Sequence, residues 1–280
     1  MSAQAQPERP LDAASAPRPT PISAVVITYN EQDRIGDALR SVDFCDEIVV
    51  VDAGSTDATR RLAEEAGARV LVNAPWPGFV AQRRLATAAA RHDWVLALDA
   101  DERVSAPLRA ELEALRQRGL EGAGFVMPRV AWYLDRWIRA TDWYPDHQLR
   151  LFDRRRAQWQ GGLVHESVHP DIAPGRLRHE LEHHSYRSVG EHLQLIERYA
   201  RLWARQALAE GRRSSPLAAF AAGAFAFFRN YVLKRGLLLG GAGLVVSTLN
   251  AHYTFTKLLL LHEMGQQTTA EHRDTETQRK

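Results

Sequence analysis

The 280-residue chain has a single cysteine, Cys45, which excludes an internal disulfide framework and fits a reducing compartment. Cys45 precedes an apolar stretch of strand character and reads as a buried structural thiol rather than a nucleophile. Charge of one sign is scarce as well: 36 Lys and Arg face 34 Asp and Glu, a formal net charge of +2. Nothing in that balance suggests a nucleic-acid partner. No run of ~18 uninterrupted apolar residues marks a confident membrane-spanning helix. Residues 1–20 lack even the ~7–15 apolar residues of a signal peptide. Rich in Ala, Pro, Ser and Gln, they are expected to be a disordered tail. There is no internal repeat. What remains is an ordinary globular composition, 45% hydrophobic and 25% charged, enough for one large domain with an appendage.

From residue 22 to 101, apolar β-branched runs alternate with helical patterns. Strands are expected at 22–29, 47–51, 69–72 and 94–98, with helices at 31–42, 55–66 and 79–91. Asn30 and Ser55 stand where N-caps of the first two helices would be, and Gly67 closes the second. Leu108, Leu112 and Leu115 mark a further helix started by Ser105 and Pro107. Near-continuous apolar strands alternating with helices predict an α/β fold, a mostly parallel sheet covered by helices on both faces. In such sheets ligands bind beyond the carboxyl ends of the strands. Here those ends carry Asn30-Glu31, Asp52 and Asp99-Ala100-Asp101, too many acidic and amide groups on one edge for solvated turns alone.

Two carboxylates two residues apart at a strand end, Asp99 and Asp101, can share a hard divalent cation with a phosphate ligand. A charged turn is the other reading of that triplet. Asp52-Ala53-Gly54-Ser55 joins a strand to a helix. Gly54 permits the tight turn, and Asp52 stands where it could accept hydrogen bonds from a ribose or a base.

Together Val26-Ile27-Thr28-Tyr29-Asn30-Glu31, Val51-Asp52-Ala53-Gly54-Ser55-Thr56-Asp57 and Leu98-Asp99-Ala100-Asp101 resemble glycosyltransferase family 2, the inverting enzymes of GT-A fold, in order and spacing. The resemblance covers residues 22–115 strongly. It implies a UDP-sugar donor and a Mg²⁺ or Mn²⁺ cofactor. Glu31 and Asp52 would lie at the nucleoside, with Gln82 or Arg83 beside the uracil, and Thr28, Tyr29, Asn30, Gly54, Ser55 and Ala100 would also bind the nucleotide-sugar. Asp99 would contact the ribose and the metal, and Asp101 would hold the metal on the diphosphate. The second half is similar to a narrower branch, the lipopolysaccharide-core β-glucosyltransferases often called WaaE- or KdtX-like. That similarity rests on residues 147–152, 159–166 and 184–186. It implies transfer of a hexose, glucose in that branch, to a lipopolysaccharide-core or lipid-linked saccharide. An inverting transfer needs a base for the acceptor hydroxyl. Glu166 is the first candidate and Asp146 the reserve. Arg150 is a candidate for assisting the departing diphosphate, and His184 for a third metal ligand.

His165-Glu166-Ser167-Val168-His169 also matches the H-E-x-x-H pattern of zinc metallohydrolases. That motif works on a helix, and Gly161-Gly162 before it and Pro170 after it argue for strand or loop. A non-catalytic nucleotide-sugar-binding protein is a third reading.

The catalytic region is expected at 21–187, its donor half at 21–120 and its acceptor half at 121–187. A helical region follows at 188–265, and a polar tail, expected to be disordered, at 266–280. Within the helical region, 216–228 and 236–249 are apolar and flank Arg229, Lys234 and Arg235. Each is too short to span ~30 Å of hydrocarbon. Short apolar helices joined by cations suit a peripheral position on the inner, cytoplasmic face of a membrane, among anionic headgroups. Packing on the catalytic region, or a dimer contact through the glycines, is the other reading.

Overall fold

Seven consecutive residues buried on both sides, Ile22–Thr28, form the central strand β1. In the computed structural model, which describes residues 19–161 and 166–277, the expected β–α alternation follows from it. After β1 come α1 (Ile35–Ser41), β2 (Glu47–Asp52), α2 (Thr59–Glu65), β3 (Arg69–Val72), α3 (Phe79–Ala89) and β4 (Trp94–Asp99). Next are β5 (Glu102–Val104), α4 (Ala106–Arg118), β6 (Gly124–Tyr133), β7 (Arg136–Ile138) and β8 (Asp146–Asp153). A hairpin of β9 (Ala157–Gly161) and β10 (Glu166–Pro170), then β11 (Gly175–Arg176) and β12 (Leu181–His183), complete the strands. Three helices follow: α5 (Val189–Ala209), α6 (Pro216–Phe228) and α7 (Gly240–Thr277).

The main sheet runs β3-β2-β1-β4-β8-β6-β12-β5. Its first four strands are parallel, and β8 joins β4 antiparallel. Continuous apolar strands are explained by cover on both faces. Ala24 and Val26 meet Ile35, Leu39 and Leu108 on one side. Val25 and Ile27 meet Ala86, Trp159 and Val168 on the other. The second face is thus closed by α3 and the β9–β10 hairpin. Register pairs Thr28 with Asp52 and Ile27 with Asp99, so the acidic strand ends share one edge.

Two expected caps are used differently. Asn30 is not an N-cap: α1 starts at Ile35, and Asn30, at φ +53°, accepts from Thr56 N on Oδ1 at 2.8 Å. Ser55 does not cap α2, which starts four residues later. It donates to Asp52 Oδ2 and accepts from Asn30 N at 2.8 Å. Both side chains tie the β1 and β2 turns together instead. Ser105 does cap α4, accepting from Leu108 N.

The C-terminal helices are longer than their apolar segments suggest. After α6 the backbone continues as a π-helical turn, Arg229–Leu233, because Asn230 is buried and satisfied by Ala226 O and Asp142. Pro216–Leu233 is consequently an 18-residue stretch of mean hydropathy 1.2, long and apolar enough by length and composition to cross a membrane, with 22% of it buried. Residues 236–249 are a 3₁₀ turn, Gly236–Leu239, running into α7. That helix continues through Thr277 rather than ending at residue 265, since residues 266–277 contain no Gly or Pro to stop it. The glycines serve packing within the chain: a Cβ on Gly243 would lie 1.8 Å from Gly236 O. Tyr133, Ile138, Ile196, Val246 and Leu249 join these helices to the β6–β7 hairpin.

Candidate active site

A cavity of 710 Å³ opens at the carboxyl edge of the parallel strands. From β1 and its turn it receives Thr28, Tyr29 and Glu31; from the end of β4, Asp99, Ala100 and Asp101; from α3, Arg83; and from the start of β10, Glu166. Thr28 Oγ1 is buried there without a hydrogen-bond partner among the described residues, so it is open to a ligand. Tyr29 is 56% exposed and forms an open wall.

Arg83 is the hub. Its Nη2 lies 2.8 Å from Asp99 Oδ1 and 3.6 Å from Glu166 Oε1, and its guanidinium stacks 4.6 Å from the Trp159 ring centre. It is 5% exposed, a buried residue rather than a solvated one. Arg150, 3% exposed, approaches Asp99 Oδ2 at 3.0 Å and Glu102 Oε1 at 2.6 Å. Burial pushes the Asp99 carboxyl up, but Arg83 and Arg150 override it and hold the group well below the usual carboxylate range. Arg150 stands behind Asp99 rather than among the cavity-lining residues, with its Nη2 committed to two carboxylates. Its expected contact with a departing group thus gives way to positioning Asp99. Glu102 is fully buried and also takes Arg129 at 2.7 Å, and Arg129 in turn holds Asp146 at 2.6 Å. Composition and spacing gave no sign of Glu102; only its place beside the Asp99-Ala100-Asp101 triplet could have.

Glu31 is raised above its usual value, by burial first, although Arg34 at 3.8 Å and Arg187 at 3.1 Å oppose the shift. Asp52, fully buried, accepts from the backbone of Gly54 at 2.9 Å and Ser55 at 2.8 Å. The carboxylate thus shapes the loop, and Ala53 rather than Asp52 lines the cavity. Gly54 sits at φ +94°, which only glycine adopts freely. Gln82 is fully buried, donating to Val51 O at 3.2 Å and accepting from Asn73 at 2.8 Å, so it braces α3 against β2. Of the pair expected beside the base, Arg83 lines the cavity and Gln82 does not.

At the acidic triplet, His183 rather than His184 faces the carboxylate. His183 Nε2 lies 3.3 Å from Asp101 Oδ2. His184 packs against Trp137 with ring centres 5.6 Å apart, and burial pushes it down to about 4. Successive strand residues point to opposite sides, and β12 presents His183 to the site. Among the described residues no group of three or more His, Cys, Asp or Glu could hold a metal ion by itself. The donor set nevertheless fits Mg²⁺ or Mn²⁺, which such sites bind through one or two carboxylates with phosphate oxygens completing the shell. Asp101, with Arg34 at 3.7 Å, and Asp99 would be the hard oxygen donors.

Asp146 lies outside this cavity. Arg198 and Tyr199 of α5 line it instead, and neither was expected from the sequence. Arg198 makes no ion pair among the described residues, while Glu31, Asp99, Asp101 and Glu166 share its cavity. The described part of the zinc pattern is not helical. Glu166–Pro170 is a strand, in which residues four apart are separated by roughly 13 Å. His165 lies outside the described residues, and His169 Nε2 meets Ser167 Oγ at 3.0 Å on the exposed hairpin.

A doubly covered α/β sheet with a polar cavity at its carboxyl edge defines a ligand-binding α/β protein of the nucleotide-binding type. Residues 23–176 match the profile of glycosyl transferase family 2, and the chain belongs to that family. An uncharacterized glycosyltransferase of Rickettsia bellii is 29% identical over 264 residues, 88% of this chain and 87% of the relative. The lipopolysaccharide core biosynthesis glycosyltransferase LpsC of Rhizobium meliloti is 30% identical over 199 residues, 69% and 74% of the two chains. Among solved structures, S. aureus TarS 1–349 in complex with UDP superposes with a TM-score of 0.36 at 24% identity, over 41% of this chain and 37% of that one. Glucosyl-3-phosphoglycerate synthase of Mycobacterium tuberculosis, in complex with Mn²⁺, UDP and glucosyl-3-phosphoglycerate, gives 0.33 at 28%, over 40% and 44%. The chain is a glycosyltransferase, which removes the reading as a non-catalytic binder.

Proposed function

We propose that this glycosyltransferase moves a hexose with inversion from a UDP-sugar to a saccharide of the lipopolysaccharide core, glucose being the sugar expected. The observation that carries this reading is the shared cavity of Asp99, Asp101, Arg83 and Glu166. Glu166 is the base. It lines the cavity that would receive the donor, with Arg83 Nη2 3.6 Å from its Oε1. Asp101 with His183, and Asp99 behind them, would hold a Mg²⁺ or Mn²⁺ ion, which when bound neutralises charge on the diphosphate. Arg198 is placed to pair with the diphosphate oxygens, and Thr28 Oγ1 to hydrogen-bond the nucleoside. Similarity to LpsC supports the acceptor class.

The exposed apolar side of α6 and the turns after it supports a place on the inner face of the cytoplasmic membrane. Leu217, Phe220, Phe225 and Leu238 are each more than half exposed, next to Arg229, Lys234 and Arg235. Such a surface buries apolar groups among acyl chains and sets cations at anionic headgroups.

The test is UDP release by the purified protein from a panel of UDP-sugars, with core oligosaccharide from lipopolysaccharide as acceptor, with Mg²⁺ or Mn²⁺ and with EDTA. Metal-dependent release from one donor, stimulated by the acceptor, is expected. Release from none of them would overturn the reading.

A further inference from the structure

A second cavity, 220 Å³ in volume, adjoins the first and shares His183 with it. Its other walls include Arg129, Asp142, Trp143, Asp146, Ser185 and Tyr186. Drug-sized ligands occupy roughly 300–1,000 Å³, so this space suits a single small ring.

Its chemistry is specific. Asp146 is fixed by Arg129 at 2.6 Å and by Gln148 at 2.7 Å, and Asp142 by Asn230 at 2.9 Å and by Arg229. A carboxylate offers about four acceptor positions, so each keeps capacity for a hydroxyl donor while its orientation is locked. Ser185 Oγ is buried with no hydrogen-bond partner among the described residues, a polar atom that a ligand would satisfy. Trp143 and Tyr186, ring centres 5.8 Å apart, supply apolar faces. An anion is disfavoured. Arg129, which lines the pocket, is already committed to Glu102 and Asp146, and the two aspartates repel a negative group.

Hydroxyl acceptors beside aromatic faces are the complement of a neutral sugar ring, polar at its rim and apolar on its C–H face. We infer that this pocket binds the sugar ring of the acceptor, with Asp142, Asp146 and Ser185 on its hydroxyls and Trp143 and Tyr186 against its face. The inference rests on the reading of the first cavity as the donor site and deepens it by placing the second substrate. Asp146 then serves as an acceptor-binding residue rather than as a reserve base. The junction at His183 sets the bound ring next to Asp101, where the donor's diphosphate would lie. Asp142 also fastens this pocket to Arg229 and Asn230, the turn that follows the exposed apolar helix α6. A saccharide presented at a lipid surface would therefore meet the pocket close to the element that contacts that surface.

The test reads saccharide binding by saturation-transfer NMR with neutral methyl glycosides (glucoside, galactoside, mannoside), without donor. UDP affinity is followed separately by calorimetry in the presence of Mn²⁺. Wild type gives saturation transfer to at least one glycoside. Ser185→Leu, which fills the cavity, abolishes it, and the isosteric Asp146→Asn weakens it about tenfold, as loss of one charge-assisted hydrogen bond requires. UDP affinity stays within about twofold in both variants, since neither residue lines the donor cavity. Glycoside signals equal in wild type and both variants, or absent for every glycoside in wild type, would overturn the inference. Because the glycoside signal needs no donor, its failure is distinct from a failure of wild type to bind UDP.

Discussion

His183 Nε2 stands 3.3 Å from Asp101 Oδ2, at the point where the two cavities meet. His184, its neighbour, turns away to pack on Trp132 and Trp137. The two histidines should therefore separate in their effects. His183→Ala is expected to raise the Mn²⁺ concentration for half-maximal UDP release by about 10–100-fold with little change in melting temperature. His184→Ala should lower the melting temperature and leave the metal dependence near wild type. Metal titrations of UDP release on both variants check this.

Arg198 reaches the donor cavity without an ion pair among the described residues. Replacing it with Ala should remove a charge-assisted contact to the diphosphate worth about 1.5–3 kcal/mol, raising the donor KM by roughly 10–100-fold. Acceptor KM should change by less than about threefold. Steady-state kinetics with each substrate varied in turn separates the two.

Glu102 is fully buried between Arg129 and Arg150. Glu102→Gln leaves two guanidiniums short of a countercharge, and breaking such a buried pair costs about 3–5 kcal/mol. Urea unfolding should show that loss, accompanied by reduced UDP affinity because Arg150 and Asp99 lose their alignment.

Burial pushes His192 down to about 4, where it stacks on Tyr186 with ring centres 3.8 Å apart. In the unfolded chain its value is the ordinary 6.5, so the unfolded state binds the extra proton first as pH falls. Stability from this group is complete above about pH 6.5 and is lost as pH falls toward 4. Melting temperatures measured from pH 7 to pH 4 should fall less steeply in His192→Phe than in wild type. His184, also pushed down to about 4, contributes in the same direction in both proteins.

Gly243 packs against the backbone of Gly236, where a Cβ would sit 1.8 Å from the carbonyl oxygen. Gly243→Ala should force α7 away from the turn Gly236–Leu239 and lower the melting temperature markedly. Gly241→Ala, where no atom lies within 4 Å of the added Cβ, should be neutral or stabilising.

The parallel half of the fold was legible because strands buried on both faces must be apolar throughout, and Ile22–Thr28 and Trp94–Asp99 carry that signature. The acidic edge was legible for a related reason: Asp52, Asp99 and Asp101 end or follow apolar runs. What each of them does was not. Asp52 looks equivalent to Asp99 in the sequence, yet only the folded turn shows it fully buried and bonded to the backbone of Gly54 and Ser55. The roles of Arg150 and Gln82 depend on partners 48 and 31 residues away, Glu102 and Val51. Arg198 was hidden because a helical face is read by its apolar positions, and the approach of α5 to the cavity is a tertiary fact. The length of the C-terminal helices was obscured by Arg229 and Asn230, polar residues that end an apolar run without ending the helix.

The proposed role of Glu166 is to take the acceptor proton in a cavity shared with Asp99 and Asp101. It is tested most directly by comparing transfer from the active UDP-sugar to core oligosaccharide in wild type, Glu166→Gln and Asp146→Asn, with UDP affinity measured alongside. Glu166→Gln is expected to lose about 10²–10⁴-fold in kcat with UDP affinity retained, while Asp146→Asn loses mainly in acceptor KM. A Glu166→Gln enzyme that turns over near the wild-type rate, or an Asp146→Asn enzyme that loses kcat in its place, would contradict it.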